Sequence, residues 1–158
     1  KTFTIRPETM ASAVITGCKA KYSYTGKQVK PLIQVVWNGK ILRNNTDYTL
    51  LYKNNKKRGS AGIVVTGKGN YSGTLTASFT IVRASVKKAS VTGLKAVYAR
   101  TGKAVKPKVT VKLGGKKLKK KRDYILSYRK NKKKGTALLY VKGVGNYSGT
   151  KKMKFKIR

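Results

Sequence analysis

The chain has 158 residues, of which 39 are Lys or Arg, three are Asp or Glu and none is His, giving a formal net charge of +36. This excludes imidazole bases and His metal sites outright, and it leaves Glu8, Asp47 and Asp123 as the carboxylates and Cys18 as the one thiol. Positive charges closer than a Debye length of about 8 Å repel one another and oppose compaction, so a partner or dissolved anions must screen them.

Apolar residues recur every second position in short stretches rich in Val, Ile, Thr and Tyr, broken by Gly and Asn clusters; this is the period of strands. In chain order, "KTFTI" at 1–5 aligns with "ASFTI" at 77–81 and "MKFKI" at 153–157. It reads as the last strand of a preceding copy, so the chain is expected to be cut from a repeat array. Ile33, Val35 and Trp37 alternate as an inward-facing set. Strands follow at 48–53 and 60–66, then a final strand with Ala77, Phe79 and Ile81 inward. The segment "VRASVKK" at 82–88 has no Gly or Pro and is expected to be a short connection that restricts how neighbouring modules turn. Val109, Val111 and Leu113 then face inward, and Met153, Phe155 and Ile157 close the chain in the same way.

These elements obey one offset of 76 residues: Phe79 and Phe155, Pro31 and Pro107, Asp47-Tyr48 and Asp123-Tyr124, Tyr52 and Tyr128, Gly59 and Gly135. Roughly half of the aligned positions are identical and no gap is needed. A fixed period of this kind marks repeated structural modules. Residues 1–12 are assigned to the end of a preceding repeat and a linker, 13–82 to one module and 83–158 to a second. Each is predicted to be a β-sandwich, of immunoglobulin-like type if the sheets connect as a Greek key. Cys18 aligns with Leu94 and reads as a core thiol.

The octapeptide "GKGNYSGT" at 67–74 returns as "GVGNYSGT" at 143–150. It is predicted to be a turn in which Gly67, Gly69, Asn70 and Gly73 adopt positive φ while Tyr71 folds back on the core. A turn accounts for Asn70 and Asn146 without glycosylation of their Asn-x-Ser sequences. A phosphate-cradling role would need a helix to follow, and no helix signal does. Asp47 and Asp123 are predicted to fix a turn by accepting backbone N–H groups.

The order of "YTGKQVKP", "NGKIL", "TDYTLLYKNNKKRGSAGIVVTGKGNYSGT" and "SFTI" resembles the tandem immunoglobulin-like repeats of large secreted and surface proteins of Gram-positive bacteria. The resemblance covers nearly the whole chain and implies an extracellular, wall-facing setting among neighbouring repeats of a longer protein. It does not imply one function, since such modules act as spacers or binding modules beside enzymes and adhesins. The second copy departs from the pattern, with Arg100-Thr101 in place of a Tyr-Thr pair and "LGGKKLKKKRDY" in place of "WNGKILRNNTDY".

No catalytic residue, metal site or cofactor is expected. Paired-carboxylate hydrolysis needs two acids in one site, whereas Asp47 and Asp123 occupy equivalent places in different modules. Calcium and zinc sites need more anionic or thiolate ligands than the chain supplies, and no Ser–Lys pair stands out as a nucleophile and base. An internal Lys–Asn isopeptide bond would need a buried Lys and Asn beside Asp47 or Asp123.

The charge is uneven, with 12 basic and 2 acidic residues between 3 and 78 against 24 and 1 between 79 and 154. Lys152, Lys154 and Lys156 should form a ladder of ammonium groups about 6.8 Å apart. Lys116, Lys117, Lys119, Lys120, Lys121 and Arg122 form a second cluster, and Arg129, Lys130, Lys132, Lys133 and Lys134 a third. Lys outnumbers Arg 31 to 8, which favours a partner read by charge density rather than by bidentate base recognition. The expected role is non-enzymatic association with anionic cell-wall polymer or glycan, with nucleic acid bound only non-specifically. One alternative is a host-protein contact on the less basic first copy through Leu32, Val36 and Leu51; another is a passive spacer. Tyr24 and Tyr140, each present in one copy only, are candidates for surface contacts.

Overall fold

The computed structural model describes residues 6–158, so the strand expected at 1–5 lies outside them. The described chain is all-β apart from one 3-10 turn at Val86–Lys88, and it divides into two compact units, the first ending at Val82 and the second starting at Arg83.

In the first unit the strands are β1 (Glu8–Thr9), β2 (Val14–Thr16), β3 (Lys21–Ser23), β4 (Gln34–Trp37), β5 (Lys40–Leu42), β6 (Tyr48–Lys53), β7 (Gly59–Gly67), β8 (Tyr71–Ser72) and β9 (Thr74–Val82). One sheet has the order β2-β4-β5 and the other β3-β9-β7-β6. Alternation explains the packing: Val35 and Leu42 from the three-stranded sheet share one core with Ala61, Ile63, Val65, Phe79 and Ile81 from the four-stranded sheet. Tyr22 meets Phe79 edge-on, with ring centroids 5.2 Å apart, a favourable aromatic geometry. Cys18 is half-buried against this core, as expected of a thiol in an aliphatic position.

The second unit repeats the plan with β10 (Ala84–Ser85), β11 (Ser90–Thr92), β12 (Val97–Tyr98), β13 (Thr110–Leu113), β14 (Lys116–Lys117), β15 (Tyr124–Arg129), β16 (Gly135–Gly143), β17 (Tyr147–Ser148) and β18 (Thr150–Ile157). Its sheets have the orders β11-β13-β14 and β12-β18-β16-β15. Cross-strand partners recur 76 residues on: Ala61 faces Phe79 and Ala137 faces Phe155, while Tyr48 faces Gly67 and Tyr124 faces Gly143.

The pairings add what the spacing did not give. The four-stranded sheets are not wholly antiparallel, since β3 runs parallel to β9 and β12 parallel to β18. The segment 6–12, assigned to the end of a preceding repeat and a linker, carries β1, which pairs in parallel with β8, and Met10, which is fully buried in the first core. The connection at 82–88 carries β10, which pairs with β17, and Val86, which is fully buried in the second unit.

The octapeptide is a turn whose Tyr71 is buried, but its glycines divide the work differently from the prediction. Gly69 and Gly73 have φ of 65° and 96°, whereas Gly67 and Asn70 are not among the residues at positive φ. Gly67 is needed for closeness: a Cβ there would lie 2.8 Å from the Tyr71 carbonyl oxygen.

Asn45 sits at φ 68° where the second copy puts Lys121 at φ 70°. Asn tolerates this left-handed backbone far better than Lys, whose Cβ crowds the carbonyl. Lys121→Asn is therefore expected to stabilise the second unit by about 0.5–1 kcal/mol; thermal unfolding followed by amide signals of β15 and β16 would show a midpoint unchanged or lowered if the strain were absent.

Candidate polyanion-binding site

Lys152, Lys154 and Lys156 lie on β18 with their side chains exposed, while Met153 between them is half-buried and Phe155 and Ile157 are buried. The alternation follows from the pleat, and it sets the ammonium groups in a row about 6.8 Å apart. Register places Tyr140, Leu138 and Thr136 of β16 beside them in that order. One strand further out, Ser127 and Arg129 of β15 stand beside Tyr140 and Leu138. Arg129 lies over the Tyr140 ring, its guanidinium carbon 5.8 Å from the centroid, so the aromatic face holds the cation on the sheet.

Lys130, Lys132, Lys133 and Lys134 occupy the hairpin loop between β15 and β16, all exposed. This loop is pinned by Asn131, whose Nδ2 donates to the Val105 carbonyl at 2.8 Å while its own carbonyl accepts from the Val105 amide at 2.7 Å. Tyr128 adds a hydroxyl bond to the Pro107 carbonyl at 2.7 Å. Asn55, Val29, Tyr52 and Pro31 make the same bonds in the first unit. The repeated Tyr-x-x-Asn spacing was visible in the sequence without revealing this clamp. Lys130 to Thr136 line an open depression of about 520 Å³. Thr136 of its lining pairs with Lys156 of the ladder.

The ladder and the hairpin loop thus form one surface. The second cluster does not join it: Lys116 and Lys117 form β14 on the other sheet, and Lys119, Lys120, Lys121 and Arg122 lead into the opposite end of β15. That strand puts roughly 17 Å between the two clusters. Arg122 is also engaged, donating through Nε and a terminal nitrogen to both oxygens of Asp123 at 2.9 Å.

Asp123 has the turn-fixing role expected of it. Its side chain accepts the Lys119 amide at 2.8 Å, and Asp47 accepts the Arg43 amide at 2.7 Å. The Arg122 hydrogen bonds hold the Asp123 pKa below its ordinary value, against a rise from burial, with the Lys119 amide adding to the lowering. The folded state therefore binds this proton less readily than the unfolded chain. The stability it lends is complete above the ordinary carboxylate range near about 4 and is lost as pH falls through the depressed folded value. Arg122→Thr, copying Thr46, is expected to move acid unfolding of the second unit to higher pH. An acid titration read on the Lys119 amide checks it, and an unmoved midpoint would refute the assignment.

Leu32, Val36 and Leu51 do not form a patch. Val36 lies on the outer face of the three-stranded sheet and Leu51 on β6 of the four-stranded one, while Leu32, 94% exposed, precedes β4. The structure instead aligns Val14, Val36 and Ile41 in one cross-strand row, with Val14 and Ile41 58% and 57% exposed. The corresponding row in the second unit is Ser90, Lys112 and Lys117. Tyr24 is half-buried, and its amide donates to the Val82 carbonyl.

Among the described residues every lysine is exposed except the half-buried Lys151, whose Nζ donates to the Ala89 carbonyl at 2.6 Å. No group of three His, Cys, Asp or Glu side chains lies together among the described residues, and no described helix is long and apolar enough to cross a membrane. Comparison with protein-family models, with curated proteins and with solved structures finds no match to this chain.

Proposed function

We propose that this chain is a pair of non-enzymatic repeat modules, immunoglobulin-like in the broad sense of three- and four-stranded sheets packed together, whose second unit associates electrostatically with an anionic wall polymer or glycan outside the cell. The observation that carries this reading is the continuous cationic surface of β18 and the β15–β16 hairpin loop. Lys152, Lys154, Lys156, Arg129, Lys130, Lys132, Lys133 and Lys134 are exposed there, and the strands bear no carboxylate. The first unit places Thr76, Ser78 and Thr80 at the ladder positions, so the fold does not require the lysines. Solubility alone does not require them either, since a far smaller net charge suffices for a small domain.

Binding of the whole chain to an immobilised polyanion should weaken steeply and log-linearly with salt. Retention unaffected by salt would count against the reading, and no retention at low salt would favour a spacer.

A second reading is supported by the Val14, Val36 and Ile41 row, a solvent-facing apolar strip suited to a protein partner such as a host receptor. Contact through it should persist at high salt and be lost in Val36→Asp; a salt-resistant partner that binds this variant equally well would refute it.

A further inference from the structure

Resting on the polyanion reading, we infer that the outer face of the second four-stranded sheet is a trough for one extended chain of a sulfated glycan, with sugar rings lying on Leu138 and on the part of Tyr140 that Arg129 leaves uncovered. The floor is the half-buried pair Leu138 and Tyr140 of β16, followed by Thr136. One wall is the lysine ladder of β18 and the other is Arg129, two strand spacings away, or about 9.6 Å between backbones. That width admits a single chain and not a duplex.

The apolar residues on this face point the same way. Ile125, 41% exposed, flanks Tyr140 diagonally and extends the apolar floor, while Val97, 40% exposed, lies on the far side of the ladder beside Lys156. An apolar strip bordered by cations and by the hydroxyls of Ser127 and Thr136 complements a pyranose ring, which has a C–H face, hydroxyl edges and peripheral sulfates. A polyphosphate has no apolar face to place there. A single-stranded nucleic acid would gain most from a series of stacking rings, and among the described residues Tyr140 is the only aromatic one on this face.

The first unit shows that the fold does not demand these side chains. Gly62, Val64 and Lys53 stand where the second unit has Leu138, Tyr140 and Arg129, and the floor over Gly62 is an open depression of about 460 Å³. Tyr140→Val and Leu138→Gly therefore copy residues already accommodated at those places.

The test uses the full chain at constant salt against three probes matched in charge: a highly sulfated heparin-type oligosaccharide, inorganic polyphosphate and a single-stranded oligonucleotide. The sulfated glycan should bind most tightly. Tyr140→Val should weaken it about tenfold and leave polyphosphate unchanged, and Tyr140→Phe should restore it. Equal binding of all three probes, insensitive to Tyr140, would overturn the trough while leaving the electrostatic reading intact. Tyr140-dependent preference for the oligonucleotide would overturn the glycan assignment. No binding of any probe at low salt would sink both readings together.

Discussion

Replacing Lys152, Lys154 and Lys156 by Thr, Ser and Thr is expected to weaken binding to a linear polyanion about 100-fold near 0.1 M salt. The estimate follows from counterion release. Each lysine that neutralises one charge of a single-stranded polymer contributes a slope of about −0.7 in log affinity against log salt, or roughly a factor of five at 0.1 M. Three such contacts multiply. The slope itself should become shallower by about 2, which separates lost contacts from misfolding. The substituted residues are those of β9, where Thr76, Ser78 and Thr80 occupy the same outward positions, so Met153, Phe155 and Ile157 keep their inward places. Changing Lys116, Lys117, Lys119 and Lys120 instead should cost less, because they lie on β14 of the other sheet and before the far end of β15, not beside the ladder. Equal effects from the two sets would mean that net charge, and not the surface of β18, holds the ligand.

Gly143→Ala is expected to destabilise the second unit by about 3 kcal/mol, combining about 1–3 kcal/mol of overpacking with backbone hydrogen bonds worth about 1 kcal/mol each. A Cβ at this position would lie 2.7 Å from the Ser148 amide nitrogen and 2.8 Å from its carbonyl oxygen. Both neighbours are backbone, so no side chain can turn away. Relief requires opening the bond from the Gly143 amide to the Gly149 carbonyl, 2.9 Å long, and moving β17 from its pairing with β10. For a unit of this size the midpoint should fall by roughly 12–24 °C. Hydrogen exchange at Leu139 and Val141 should accelerate while that of Ile63 and Val65 stays the same. Unchanged protection in the second unit would show that the close approach at the turn is dispensable.

The reasons why the sequence was readable in parts are physical. Alternation told which side of its own strand a residue occupies, and it placed Val35, Phe79, Val111 and Phe155 in cores where all four are buried. The same rule says nothing about which sheet a strand joins. Val36 and Leu51 are both on outward sides, but of different sheets, and so the expected patch dissolved while Val14 and Ile41 went unnoticed as the neighbours of Val36. Asp47 and Asp123 were legible because an acceptor before a strand has a local task. The parallel pairing of Glu8–Thr9 with Tyr71–Ser72 was not, since two residues carry no periodicity and the partner lies far along the chain.

The basic surface shows the same division. Cluster membership could be read from spacing, but Arg129 and the lysines at 130–134 met the ladder only through the register of β16 against β18. Arg122 looked like one more cation; the structure spends its fork on Asp123. Tyr140 was visible as a residue present in one copy alone. Its setting, beneath Arg129 and beside Lys152, needed the sheet.

The central claim is that the second unit is an electrostatic surface for a polyanion, and affinity of the intact chain for a linear polyanion measured across a salt series tests it most directly. A straight line of log affinity against log salt is predicted, with a slope near −4 to −6 for six to eight neutralised charges at about −0.7 each. A flat line, or binding that survives at molar salt, would contradict it.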